Sequence, residues 1–322
     1  MVAPLGGTPM RVVFCGTPDF AVPTLRALLA DSRFHVEAVI TQPDRPRGRG
    51  LASGQSAVKQ LAAVSCVEIL QPEKIRAPQV HQWFEAKAPD AVVLIAYGQI
   101  IPPPLLAIPR LGWINLHASL LPKYRGAAPI AWAIASGESR TGVTTMQIDA
   151  GMDTGPILLS REIEIAPQET APELSARLAE AGAPLVLESL LALEQGTLRP
   201  APQEHSRATY APLLKREDGR IHWGLSATAL YNRVRAFAPW PGTFADFRGK
   251  RLHLWGRPAA PDYTSTPEAS PGLILHSAGR LLVSCGSATW LEILDVQPEG
   301  RRRMSAREFA AGARLVPGER FE

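Results

Sequence analysis

The chain has 322 residues, of which 46% are hydrophobic and 20% are charged, and its formal net charge is +4. This composition excludes a disordered or fibrous chain, and the length predicts two domains, each with a hydrophobic core of its own. Since no apolar stretch is long enough to span a membrane and the first ten residues lack a signal-peptide pattern, we expect a cytoplasmic protein.

Strand and helix patterns alternate through the first 200 residues. The predicted strands, which are short β-rich or continuously apolar runs, cover 11–15, 36–40, 91–97 and a run that ends at 117. The predicted helices, marked by apolar spacing or by capping residues, cover 21–29, 58–63, 78–86 and 171–194. Such alternation indicates an α/β fold built on a doubly wound parallel sheet.

The pattern changes beyond residue 199. Prolines among polar residues at 199–212 are typical of a linker, and a helix is predicted over 226–236. The β-type runs that follow, separated by turn-forming residues, cover 251–255, 273–275, 280–284 and 290–296. They predict a small C-terminal β-barrel resembling an OB-fold. We therefore divide the chain into a first domain at 1–199, a linker at 200–215 and a barrel domain at 216–322.

The positive charge lies in the second part of the chain. Residues 1–199 hold 17 Lys+Arg against 18 Asp+Glu, whereas residues 200–322 hold 17 against 12. Clustered Lys and Arg gain affinity for a polyanion by displacing counterions from its phosphates. A basic, solvated surface is the alternative interpretation of the same charge.

The sequence gives no support for a bound nucleotide or metal. The turn at 16–18 after the first strand has neither the spaced glycines of a dinucleotide site nor the Gly-Lys-Ser/Thr ending of a triphosphate loop. None of the seven histidines has the spacing to another His or Cys that a metal site requires. Cys15, Cys66 and Cys285 lie far apart, so we expect no disulfide or structural zinc, and three small buried side chains.

The strongest candidate site lies where the strand-like run ends, in the segment GWINLHASLLPKYRGAAP. Alternate residues of a strand share one face, so Asn115 and His117 project together at the carboxyl end of the strand. Open α/β sheets bind their ligands at that end. An amide donor beside an imidazole can hold a developing oxyanion and move a proton, which predicts acyl-type transfer at a carbonyl.

A carboxylate partner for His117 is available further along the chain. The segment GVTTMQIDAGMDTG, at 142–155, contains Asp149 and Asp153 in a predicted turn. An acid that reaches His117 would fix its tautomer and stabilise the imidazolium. The residues alone do not choose between these two acids, and both are also common turn formers.

A third candidate is the loop at 41–54, TQPDRPRGRGLASG. Arg45, Arg47 and Arg49 stand there among Gly and Pro, which we expect to exclude regular structure. An arginine-rich mobile loop near the carboxyl edge of a sheet predicts a contact to phosphate or nucleic acid that orders on binding. The alternative is a solvated surface loop.

With these motifs, the chain resembles the methionyl-tRNA formyltransferases along nearly its whole length. The matching segments are VVFCGTPDFAV at 12–22, TQPDRPRGRG at 41–50, NLHASLLPKYRGAAPI at 115–130, MQIDAGMDTG at 146–155 and RAFAPWPG at 235–242. Asn-x-His, Ser-Leu-Leu-Pro and Asp-x-Gly are shared by folate-dependent formyltransferases. The arginine-rich loop and the C-terminal matches are selective for the tRNA enzymes.

The resemblance implies a Rossmann-like formyltransferase domain, a tRNA-binding barrel, and a formyl group moved from 10-formyltetrahydrofolate to methionine on initiator tRNA. It implies that Asn115, His117 and Asp153 form the catalytic set. The residues themselves predict no metal and no nucleotide cofactor, and no obligatory protein partner is evident. The reduced folate would contact the turn made of Ser119, Leu120, Leu121 and Pro122. The tRNA would contact Arg45, Arg47, Arg49 and the basic barrel.

Two alternatives remain at this stage. The first is the same chemistry with another acceptor, either an amino-sugar nucleotide or water that hydrolyses the formyl-folate. The second is an RNA-binding protein without catalysis, against which the intact set Asn115, His117 and Asp153 argues.

Overall fold

We describe residues 8–47, 52–260 and 269–322 of a computed structural model. The chain divides into two compact units. The first unit comprises 1–129, 140–164 and 175–211, and the second comprises 130–139, 165–174 and 212–322. The predicted domain boundaries at 199 and 215 remain a proposal. No helix in the described part of the chain is long and apolar enough to cross a membrane.

The first unit is an α/β layer structure. Its strands are β1 (Met10–Gly16), β2 (Phe34–Ile40), β3 (Arg45–Arg47), β4 (Ala52–Gly54), β5 (Glu68–Leu70), β6 (Ala91–Ile95), β7 (Trp113–His117), β8 (Arg140–Gln147) and β9 (Ile157–Glu164). The helices up to residue 194 are α1 (Val22–Ala30), α2 (Ala57–Val64), α3 (Pro78–Lys87), α4 (Pro103–Leu106), α5 (Pro129–Ala135) and α6 (Ala171–Glu194), of which residues 130–135 and 171–174 belong to the second unit. The predicted α/β class is confirmed.

The main sheet has the strand order β5-β2-β1-β6-β7-β8-β9. The five strands from β5 to β7 are parallel, as predicted, but β8 and β9 are antiparallel to their neighbours. The predicted doubly wound parallel sheet is therefore present and is mixed at this edge. β9 follows β8 across a short connection at 148–156, which leaves no room for the crossover that parallel neighbours need.

Burial explains why the central strands are uniformly apolar. Val12, Phe14, Val92 and Val93 on β1 and β6 are fully buried, as expected for strands covered on both faces. Polar side chains are costly in such strands unless they are paired. The buried Asn115 and His117 at the end of β7 are therefore exceptions to the composition of this sheet.

The cysteine prediction was correct for two of the three residues. Cys15 and Cys285 are buried, and desolvation raises the pKa of both thiols, that of Cys285 to about 12. Cys66 is exposed, so the prediction was wrong there. It lies in the turn after α2 with a φ of 55°, where the chain leaves the helix at the surface.

The arginine-rich loop contains regular structure, contrary to the prediction. β3 and β4 pair antiparallel, with Arg45 opposite Gly54 and Arg47 opposite Ala52. Asp44, just before β3, accepts hydrogen bonds from Lys59 and Gln71, which lower the pKa of its carboxyl group. Backbone pairing and this side-chain anchor therefore form a hairpin base where Gly and Pro predicted none, and residues 48–51 lie outside the described part.

The second unit is mainly an antiparallel sheet. Its elements after residue 211 are α7 (Ala227–Ala236), β10 (Phe244–Phe247), β11 (Lys250–Pro258), β12 (Ile274–Ser277), β13 (Arg280–Cys285), β14 (Thr289–Pro298), β15 (Met304–Ser305) and α8 (Ala306–Ala313). The strand order is β10-β11-β14-β13-β12, with β15 paired to β14. One face packs a core that includes Leu252, Leu254, Leu291 and Phe321.

The predicted barrel is barrel-like but not closed by strand pairing. Within the described residues, β10 and β12 are the two edges of the sheet. The last residues of the chain bond to both edges: Glu322 exchanges two backbone hydrogen bonds with Asp246 of β10, and Ile274 of β12 donates to Glu319 at 2.8 Å. The C-terminal segment, rather than a strand-to-strand ladder, spans the gap.

Candidate active site

Strand β7 places two polar side chains on one face of the first unit. Leu116 points to the opposite face, and its side chain packs closely against Gly182 of α6. A Cβ added at Gly182 would clash with it. Because side chains alternate along a strand, Asn115 and His117 project away from α6. Asn115 is 9% exposed and His117 is 6% exposed. The predicted juxtaposition of these two residues is therefore present.

The ring of His117 lies between two oxygen atoms. Its Nε2 is 2.9 Å from the carbonyl oxygen of Tyr124, and its Nδ1 is 3.7 Å from Oδ2 of Asp153. A carbonyl oxygen only accepts, so Nε2 carries the hydrogen in this arrangement. A proton added at Nδ1 would then face a carboxylate, which is the arrangement that stabilises an imidazolium.

The structure places Asp153, and not Asp149, beside His117. Oδ2 of Asp153 also accepts a hydrogen bond from the backbone N–H of Gly126 at 2.8 Å. Asp149 is exposed, and its Oδ1 accepts from Gly151 N at 3.0 Å and from Thr154 Oγ1 at 2.7 Å. Asp149 therefore stabilises its own turn, which is the alternative that the sequence left open.

Backbone geometry explains the Asp-x-Gly spacing at this turn. Asp153 has a φ of 51°, in the left-handed region that most side chains avoid. A Cβ at Gly155 would overlap the backbone carbonyl oxygen of Gln147. Only glycine fits there, and the close approach of the two segments holds the turn that carries Asp153.

Two residues that the sequence analysis did not select stabilise this turn by hydrogen bonds. Gln203 donates from Nε2 to the carbonyl oxygens of Asp153 and Gly155, at 2.9 and 2.7 Å. Its Oε1 accepts from Nη2 and Nε of Arg125, at 2.6 and 3.1 Å. Arg125 is 2% exposed and also contacts Nδ1 of His205. We call Arg125 and Gln203 the clamp.

A sequence signal existed for one member of the clamp. Arg125 stands within the segment at 115–130 that carries the resemblance, whereas Gln203 falls in the predicted linker. In the structure, Ala201 exchanges backbone hydrogen bonds with Ile157, and Ala211 N donates to Arg125 O. The segment predicted as a linker is therefore hydrogen-bonded to the rest of the first unit at residues 201 and 211, with a 3-10 helix at His205–Arg207 between them.

The carboxamide of Asn115 has no hydrogen-bond partner among the described residues, and it is not fully buried. Buried amides are normally paired, so a polar group left available at such a place points to a ligand. Together, the amide and the imidazole offer two donors that can meet one carbonyl oxygen as negative charge develops on it.

In the turn after β7, the polar groups of Ser119 form hydrogen bonds with nearby residues. Ser119 is buried, its Oγ donates to Lys123 O at 2.6 Å, and its carbonyl oxygen accepts from Thr144 Oγ1 at 2.7 Å. Leu121 is buried, Pro122 is half-buried, and the side chain of Leu120 lies where a Cβ at Gly142 would be. The serine hydroxyl is therefore engaged within the turn.

A separate cavity lies beside the first arginine of the hairpin. A cavity of about 510 Å³ opens at the carboxyl ends of β1, β2 and β6, and Arg45 lines it with Thr17, Gln42, Tyr97 and Gln99. Arg45 is exposed, and Arg47 ends β3. Arg49 lies outside the described residues. Neither Asn115 nor His117 is in the described lining, so the structure does not join the two predicted sites.

Family models match both halves of the chain. Residues 10–190 match the formyl transferase family, and residues 213–314 match the formyl transferase C-terminal domain. No group of three or more His, Cys, Asp or Glu residues able to hold a metal occurs within 8–47, 52–260 and 269–322. The chain belongs to the formyl transferase family.

Curated relatives narrow this assignment. A methionyl-tRNA formyltransferase of Solibacter usitatus is 52% identical over 97% of this chain and 98% of its own length. Another, of Acidobacterium capsulatum, is 51% identical over 97% of this chain and 99% of its own length. Within the family, the chain belongs to the methionyl-tRNA formyltransferases.

Solved structures support the fold. An N-formyltransferase of Helicobacter canadensis, crystallised with folinic acid and dTDP-3-aminofucose, matches with a TM-score of 0.62. The match covers 90% of this chain and 99% of that chain, at 17% sequence identity. At this identity the likeness concerns the fold alone.

The clamp generates a prediction. Gln203→Glu keeps the oxygen that accepts from Arg125 but removes both hydrogen bonds to the turn of Asp153. We expect kcat for formyl transfer to fall by about 10²-fold, because small misplacements of a reacting group cost that much. Steady-state kinetics should show little change in KM. If kcat is unchanged in a variant with wild-type thermal stability, the clamp does not position Asp153 for catalysis.

Proposed function

We propose that this protein transfers the formyl group of 10-formyltetrahydrofolate to the α-amino group of methionine on initiator methionyl-tRNA. The observation that carries the proposal is the geometry of Asn115, His117 and Asp153 in a chain about half identical to methionyl-tRNA formyltransferases over nearly its full length. The formylated aminoacyl-tRNA then serves initiation of translation.

The chemistry follows from the donors that face the substrate. The neutral amine attacks the formyl carbon, a new C–N bond forms, and the carbonyl oxygen becomes an oxyanion. The Asn115 amide and the imidazole of His117 hold that oxygen. The bond from carbon to N10 of the folate then breaks.

Proton balance involves the same imidazole. The attacking nitrogen loses one proton and N10 of the departing folate gains one, so tetrahydrofolate and the formylated amine are the products. His117 or a water molecule carries that proton between the two nitrogens. Asp153, with Oδ2 3.7 Å from Nδ1, stabilises His117 while it is positively charged.

The donor is assigned to the turn after β7. Ser119, Leu120, Leu121 and Pro122 begin two residues after His117, so a folate held there would present its formyl group to the catalytic residues. Ser119 shapes the turn through its hydrogen bonds to Lys123 and Thr144, and the leucine and proline side chains supply the apolar contact.

The acceptor is assigned to the basic parts of the chain. Arg45, Arg47 and Arg49 belong to the segment between β2 and α2, and residues 200–322 hold 17 Lys+Arg against 12 Asp+Glu. Guanidinium groups pair with phosphate oxygens of RNA. A cytoplasmic location and independence from a protein partner remain predictions of the sequence.

One assay separates this function from its competitors. The wild-type protein is given formyl-folate with initiator methionyl-tRNA, elongator methionyl-tRNA or a dTDP-amino sugar, and products are identified by mass. We expect rapid formylation of the initiator tRNA only. Formylation of the amino sugar, or release of formate without an acceptor, would contradict the proposal.

Asn115→Ala tests the oxyanion donor. Loss of one such donor typically lowers kcat by about 10²- to 10³-fold. We expect that loss with little change in the KM for either substrate, because the amide acts on charge that develops only in the transition state. Near-normal turnover would refute the assignment, and Asn232→Ala in the second unit serves as a control for asparagine removal.

A further inference from the structure

The outer face of β11 carries a row of basic and aromatic side chains. Leu252 and Leu254 point into the core of the second unit, so the alternate residues Arg251, His253 and Trp255 project from the other face. All three are half-buried. The alternation of the KRLHLWGR segment therefore separates an apolar face from one that is suited to a polar ligand.

A cavity of about 500 Å³ lies over this row. Its other walls come from the end of α7 and the following loop, including Pro239 and Gly242, and from the segment at 297–303. We call this cavity the β11 cleft. A Cβ at Gly242, which has a φ of 72°, would come within 3.1 Å of His253 Nδ1, so this glycine keeps the imidazole accessible beside the loop.

The charges around the β11 cleft favour an anion. Arg216, Arg251 and Arg303 line it, against Glu299. Arg303 is bonded to Asp295 at 2.7 Å, whereas Nε of Arg251 is buried without a hydrogen-bond partner among the described residues. Burial, followed by the charges of Arg251 and Arg216, lowers the pKa of His253 and outweighs the opposite effect of Glu299.

The rings supply a stacking surface beside these charges. The guanidinium carbon of Arg303 lies 4.0 Å from the ring centroid of Trp255, and that of Arg251 lies 4.3 Å from the ring centroid of Phe244. The rings of His253 and Trp255 are 6.4 Å apart and inclined by 33°. Aromatic faces next to arginines are the combination with which proteins bind an unstacked nucleotide.

We propose that the β11 cleft binds one nucleotide of the tRNA, with its base against Trp255 and His253 and its phosphate at Arg251 and Arg216. This inference rests on the proposed function for its choice of RNA. The proposal gives the second unit a defined binding site for one nucleotide, rather than only a nonspecific electrostatic attraction to the tRNA. A cleft of this size accommodates a single nucleotide rather than a duplex.

The test is a binding measurement without catalysis. Fluorescently labelled, uncharged initiator tRNA is titrated with the wild type, Trp255→Ala, Trp255→Phe and Arg251→Gln at several salt concentrations. We expect Trp255→Ala to weaken binding about 5- to 150-fold, and Trp255→Phe to retain most of the affinity. Arg251→Gln should reduce the slope of log K against log salt by about 0.7 to 0.9.

The chain provides a matched control. Arg257 lies on the same face of β11, two positions beyond Trp255, but it pairs with Glu292 at 3.3 Å and is not in the described lining of the cleft. Arg257→Gln should leave both affinity and salt slope unchanged. In formylation assays, the cleft variants should raise the KM for methionyl-tRNA while kcat and the KM for formyl-folate stay constant.

The outcomes separate this inference from the proposed function. If folded Trp255→Ala and Arg251→Gln bind tRNA with wild-type affinity, the proposal that the β11 cleft binds a nucleotide is refuted, even if formyl transfer proceeds. Equal losses in Arg257→Gln also overturn it, because the effect then reflects net charge alone. Should Trp255→Ala fail to fold, Arg251→Gln and Arg303→Gln decide by the same criterion. Absence of formyl transfer with cleft-dependent tRNA binding overturns only the proposed function.

Discussion

The site depends on one constraint: a histidine buried at the end of a sheet strand needs a fixed set of oxygen partners. Tyr124 O and Asp153 Oδ2 supply them for His117, and both belong to turns with a left-handed residue. Such turns hold only when surrounding contacts determine them. The clamp of Arg125 and Gln203, with the close approach at Gly155, provides those contacts.

Much of this arrangement could be predicted because the signals are local. The alternation along β7 placed Asn115 and His117 together, and the spacing of leucines predicted α6 with the bounds that the structure has. What could not be predicted depends on distant segments. The direction of β8 and β9, the hairpin made by β3 and β4, and the hydrogen bonds of Gln203 all come from pairing across the chain.

The choice between the two aspartates shows the same limit. Asp149 and Asp153 stand in the same predicted turn, so their local sequence does not distinguish them. The resemblance selected Asp153 but gave no physical reason. In the structure the reason is positional, because Asp149 bonds to Thr154 within its own turn while Asp153 reaches Gly126 and His117. The residues that act on the carbonyl thus lie in the first unit, and the features we relate to the acceptor lie in the hairpin and in the basic C-terminal part of the chain, residues 200–322.

The most direct test of this account is a double-mutant cycle between His117 and Asp153, measured as kcat/KM for formylation of initiator methionyl-tRNA. Asp153→Asn retains an oxygen for Gly126 N–H but removes the charge that faces the imidazole. If Asp153 acts through His117, adding Asp153→Asn to His117→Ala causes no further loss, so the two effects are strongly non-additive. Losses that multiply in the double variant would contradict the account.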